Sequence, residues 1–174
     1  MLREDQIQRY SRQILLREVG GRGQAKLLAT SIELVGSSPE LDVAAAYLAA
    51  GGTPIQLDSP VGGFVAGASL DALSPDARAS SAPQLTLAAA PVFRPAQVVV
   101  TARSVSWRLA SACPRCGWQD SVGPAGNSVL LGALAALVVQ RFALGQLEPL
   151  GHLVWDGAGF RPAVMRCVEH QISQ

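Results

Sequence analysis

The sequence predicts an α/β fold: a mostly parallel sheet with helices on both faces, in a single domain spanning residues 1–174. Three observations carry this. Residues 32–58 read as strand, helix, strand, a βαβ unit whose two strands must run parallel. Residues 96–102, "AQVVVTA", have the composition of a buried strand. Residues 123–145 hold an apolar run, Val129 to Val139, between a helix cap at Asn127 or Ser128 and a helix stop at Gly145. A chain of 174 residues is the size of one ordinary domain and buries a real core.

Taken in order, residues 5–17 place Ile7, Tyr10, Ile14 and Leu15 at helical spacing, so a short amphipathic helix is expected. "GGRGQAKLLAT" breaks it with three glycines and restarts a turn of helix around Ala25 to Leu28. "SIELVG" is a strand, "ELDVAAAYLAAGG" a helix stopped by Gly51-Gly52, and "TPIQLD" the next strand. Residues 58–95 are a reduced, loop-rich middle of Ala, Ser, Gly and Pro, with one clear strand in "QLTLA". After residues 96–102 comes a helix that Asn127 or Ser128 caps and Gly145 ends. The tail reads as a hairpin turning at Asp156-Gly157.

A formal charge of +1 gives no global case for a nucleic-acid or membrane partner. Residues 77–119 hold Arg78, Arg94, Arg103, Arg108 and Arg115 and no acid; this is a basic patch if folding gathers them and scattered surface arginines otherwise. The apolar run Val129 to Val139 is too short to span a bilayer, and the charged start "MLREDQIQRY" lacks the apolar core of a signal peptide, so a cytoplasmic protein is expected.

The three cysteines are Cys113 and Cys116 in "CPRCGW" and Cys167 in "RCVEH", which also supplies His170. C-x2-C and C-x2-H each let two ligands of one turn face an ion, and together they make a Cys3His tetrahedral set for structural zinc. Such an ion would clip the C-terminal hairpin to the loop after the sheet. A redox pair is the alternative, although no strand-to-helix junction precedes "CPRC" to lower a thiol pKa. His152 reads as a packed or surface histidine rather than a ligand.

"IQRYSRQILLREVGGRGQAKLLATSIELVG" resembles the opening of the ThiF/MoeB/HesA family, relatives of ubiquitin-activating enzymes, with its R-Y-x-R-Q-I helix and G-x-x-G-Q-x-K-L segment. "VAAAYLAAGGTPIQLD" and "GPAGNSVLLGALAALVVQRFALG" are similar to the family's first helix with second strand and to its late helix. The cysteine pattern is similar too, with His170 in place of a fourth cysteine. The resemblance implies a Rossmann-like fold and adenylation chemistry, in which ATP activates the C-terminal glycine of a ubiquitin-like or sulfur-carrier protein. It also implies a dimer in which Arg12 reaches the ATP of the other subunit; packing at the dimer interface is an equal reason for that helix.

The departures fall where the chemistry would be. The family's glycine-rich turn is "GSSPEL", keeping only Gly36; Pro39 has no N–H and Glu40 brings negative charge. The acidic pair after the second strand is reduced to Asp58, and the arginine-bearing segment that should follow is absent from "VGGFVAGASLD". Each missing charge-assisted phosphate contact is worth about 1.5–3 kcal/mol. The sequence therefore points to a pseudoenzyme: Gly36 and Asp58 are remnants of a nucleotide site that disfavours ATP and Mg, and Arg12 acts in a homodimer or in a heterodimer with an active subunit. Two other readings stand beside it, an enzyme using a remodelled pocket for another small ligand or nucleotide, and a scaffold homodimer.

Overall fold

The computed structural model describes residues 1–57, 74–76, 81–92, 94–112 and 124–163. Three helices lead in: α1 (Glu4–Arg9), α2 (Ser11–Ile14) and α3 (Gly20–Ala29). The expected single helix over 5–17 is broken at Tyr10, whose backbone (φ −99°, ψ 16°) closes α1 and opens α2. The glycines of "GGRG" belong to α3 instead of interrupting it. Gly20 (φ +61°) sits at its start, and Gly23 meets Leu144 and Val19 so closely that a Cβ would lie 2.9 Å from the leucine.

The βαβ unit forms as expected. β1 (Ile32–Val35) leads into α4 (Pro39–Ala50), which ends at Gly51 and Gly52 before β2 (Ile55–Leu57). β3 (Leu85–Ala88) and β4 (Gln97–Val100) are the two further apolar runs. A tight turn at Thr101 then returns the chain into β5 (Ser104–Arg108), a strand the sequence reading left out. α5 (Ser128–Leu144) starts at Asn127, whose Oδ1 accepts from the Val129 and Leu130 N–H groups, and stops at the left-handed Gly145 (φ +74°). The hairpin is β6 (Leu150–Trp155) and β7 (Phe160–Pro162), with Asp156 Oδ1 accepting from Ala158 and Gly159 N–H across the turn.

These seven strands make one sheet in the order β2-β1-β3-β4-β5-β6-β7. The first four are parallel and β5, β6 and β7 alternate, so five of the seven point one way. Because side chains alternate across a strand, Ile32 and Leu34 face the same side as Leu85 and Leu87, and α4 and α5 cover that side. Ala44, Ala45, Leu48, Leu131, Ala135 and Val139 complete the core there. The other side carries a polar row at one register position of five neighbouring strands: Gln56, Glu33, Thr86, Gln97 and Arg108.

Candidate functional site

In an open sheet the ligand crevice lies beyond the carboxyl ends of the strands where the strand order reverses. With β1 between β2 and β3, that point is the corner after Val35, at the start of α4. Gly36 turns there at φ +90°, and a Cβ would press on that of Ala89 at 3.3 Å. Ala89 N–H donates to Val35 O at 3.1 Å and ties the two strand ends together. The glycine thus has a backbone reason to persist without any ligand.

The helix end beside it is already satisfied from within. Ser38 is the N-cap, its Oγ accepting from Leu41 N–H at 3.1 Å, and Asp42 N–H donates to Ser38 O at 3.0 Å. Pro39 at the first helical position offers no donor, which leaves the N–H of Glu40. The first turn also carries Glu40 and Asp42, and burial pushes the Asp42 carboxyl above its ordinary value. An anion binds a helix N-terminus through free N–H groups and the positive end of the dipole. Here the donors are few and the dipole is answered by the chain's own carboxylates. Asp58, the other remnant, lies outside the described residues.

The R-Y-x-R-Q helix divides its residues between inside and outside. Tyr10 is 2% exposed, with its ring against Gly52, where a Cβ would come within 2.6 Å of it. Its hydroxyl lies 2.8 Å from Ser74 Oγ and donates to Asp76 Oδ2 at 2.9 Å. Gln6 Nε2 and Arg3 Nη2 donate to Asp76 Oδ1 at 3.0 and 3.1 Å, and Arg9 approaches Oδ2 at 3.7 Å. Burial would raise the Asp76 carboxyl, but the bonds from Gln6, Tyr10 and Arg3 outweigh it and hold the group below its ordinary value. Arg12, by contrast, is exposed in the single turn of α2, as are Ile7 before it and Leu15 and Leu16 after it in the sequence.

Of the arginine window, Arg78 and Arg115 lie outside the described residues, Arg94 and Arg108 meet at the polar row, and Arg103 lies at the opposite end of β5. Arg94 is drawn onto the polar row, donating from Nε and Nη2 to Glu33 at 3.0 and 3.1 Å, and Arg108 donates to Arg94 O. Thr86 Oγ1 donates to Glu33 as well, and a cleft of about 390 Å³ opens beside them, lined also by Gln84, Pro95 and Ala110. The Arg94 bond, opposed by burial and joined by that of Thr86, lowers the Glu33 pKa. A lowered folded pKa stabilises at pH above the unfolded value of about 4.3, and the contribution is lost as pH falls through the folded value. Denaturation midpoints of the native protein and Glu33→Gln should therefore differ at pH 7 and converge as the pH drops below about 4.

Cys113, Cys116, Cys167 and His170 lie outside the described residues, and among the described ones no group of His, Cys, Asp or Glu could hold a metal. The strands that precede the two pairs run toward one end of the sheet. β5 and β7 both run toward the Leu150 end of β6, with Leu109 N–H donating to Pro149 O and Ala163 N–H to His152 O. His152 is buried in β6, and that burial lowers its pKa. Sequence reasoning missed Ser74 and Asp76, which carry no signal until the fold sets them against Tyr10.

No family model and no curated protein matches the sequence. Solved structures do match its fold. The crystal structure of E. coli MccB superposes with a TM-score of 0.57 at 13% identity, covering 90% of this chain and 69% of that one. That of MccB with MccA gives 0.58 at 14% identity, covering 90% and 71%. PaaA gives 0.56 at 13% identity, covering 93% and 73%. No described helix is long and apolar enough to cross a membrane. With this strand order, the corner at Gly36 and these structural neighbours, the chain has a ThiF/MoeB-like fold.

Proposed function

We propose that the chain is a degenerate, non-catalytic ThiF/MoeB-like subunit that assists an active partner in adenylating a ubiquitin-like or sulfur-carrier protein, or a peptide, and offers Arg12 to the partner's ATP. The observation that carries this reading is the self-capped corner at Ser38 and Pro39, where a triphosphate would meet two carboxylates and few free donors. Exposed Ile7, Leu15 and Leu16 in the same arm as the exposed arginine support contact with a second subunit, since apolar side chains left in water favour burial against a partner. MccB has been solved with AMPCPP together with MccA, and this reading leaves such nucleotide binding to the active subunit. The isolated chain is expected to exchange no pyrophosphate into ATP in the presence of a small Gly-Gly-ended protein. Exchange above background would overturn the proposal.

Cys113, Cys116, Cys167 and His170 are proposed to hold a structural zinc that clips the segment after β5 to the segment after β7. The support is topological: the two segments leave the sheet at the same end, with only β6 between them, or roughly 10 Å at ordinary strand spacing. Three thiolates and an imidazole fill a tetrahedral shell and leave no position for a substrate. Metal analysis should find one zinc per chain, and Cys113→Ser should lose it with a fall in Tm of roughly 5 °C or more. A metal-free native protein, or an unchanged Tm, would dismiss the clip.

A further inference from the structure

We propose that Asp76 is the positioning residue for Arg12, a role that rests on the reading of Arg12 given above. Arg12 sits in a helix of four residues, too short to hold its own conformation. That turn hangs from Tyr10, whose carbonyl accepts from Gln13 and Ile14 N–H at 2.9 Å each. Where Tyr10 goes, Arg12 follows. Tyr10 in turn is fixed at two points, its ring in the space left by Gly52 and its hydroxyl on Asp76 and Ser74.

One carboxylate therefore gathers four residues of the N-terminal arm: Arg3, Gln6, Arg9 and Tyr10. Its side chain is only 11% exposed, and its bonds from Gln6 and Tyr10 are charge-assisted and partly shielded from water, whereas Arg3 and Arg9 reach it from the surface. None of the core residues between the sheet and α4 and α5 depends on them. Removing the carboxylate takes the acceptor from the Gln6 amide and leaves the buried Tyr10 hydroxyl with Ser74 Oγ alone, and the arm should open locally while the sheet stays folded.

Two measurements decide it. In hydrogen exchange of the whole chain, Asp76→Ala should speed the amides of residues 4–14 roughly ten-fold and leave those of β1, β3 and α5 unchanged. Unchanged protection of the arm would overturn the proposal at its base. In the native complex that co-purifies with the chain, Asp76→Ala should lower the adenylation rate at saturating ATP, Asp76→Glu should restore part of it, and Asp76→Ala should add nothing to Arg12→Ala. An equal further loss in the Arg12→Ala background would show that Asp76 acts by another route. If Arg12→Ala alone left the rate unchanged, the reading of Arg12 and the positioning role would fall together, while the exchange result would still show whether Asp76 holds the arm.

Discussion

Gly132→Ala is expected to lower the stability of the fold by about 2–3 kcal/mol and its Tm by roughly 5–10 °C, read from chemical and thermal denaturation. The sign is opposite to the usual one, because alanine in a helix interior gains about 1 kcal/mol over glycine. At this position a Cβ would lie 2.5 Å from Glu40 O and 2.6 Å from Val43 Cβ. A backbone carbonyl cannot swing aside as a side chain does, so α4 and α5 would have to part. Both helices are rich in small buried residues, Ala44, Ala45 and Ala49 on one and Ala135 and Ala136 on the other. A seam between them is close-packed, and any separation opens gaps along it. A variant as stable as the native protein would mean that the two helices slide apart without cost.

Arg12→Ala should leave that stability untouched, since the side chain is exposed. In the complex with an active subunit it should slow adenylation about 10²–10³-fold, the range found when one preorganised donor is removed from a developing charge. The loss should appear in kcat more than in the KM for ATP, because a contact made mainly in the transition state does not weaken ground-state binding. Arg12→Lys should recover part of the rate, keeping the charge but not the planar fork. A complex that works equally well with alanine would leave the arm as an interface element only.

Much of this fold was legible in the chain. α5 was framed by Asn127 and Gly145, two residues whose chemistry specifies a helix start and a left-handed stop, and the structure uses both. α4 and its two flanking strands were equally plain, because their apolar runs are bounded by glycine and proline. β5 was overlooked although Ser104, Val105, Ser106 and Trp107 alternate with the period of a half-buried strand; the serines made it resemble a loop. The break at Tyr10 was hidden because the apolar spacing runs on through it. α3 was underestimated because Gly23 reads locally as a breaker, while its actual role, fitting against Leu144, depends on a residue far along the chain. The same distance concealed Asp76, whose partners in α1 are some seventy positions away. The polar row led by Glu33 was invisible for a related reason: register between strands places its members side by side, and no single segment contains it.

The cap at Ser38 also bears on stability. A phosphate cradle must keep its helix donors unsatisfied until the ligand arrives, so a working nucleotide site weakens the scaffold that bears it. With a serine capping those donors and a proline fixing the first turn, this fold gains about 1 kcal/mol that a corner kept open for phosphate forgoes. Selection for stability alone would then hold the chain in its present form. Returning glycines to residues 37–40 would first be felt as a softer protein and only afterwards, if at all, as one that takes up nucleotide.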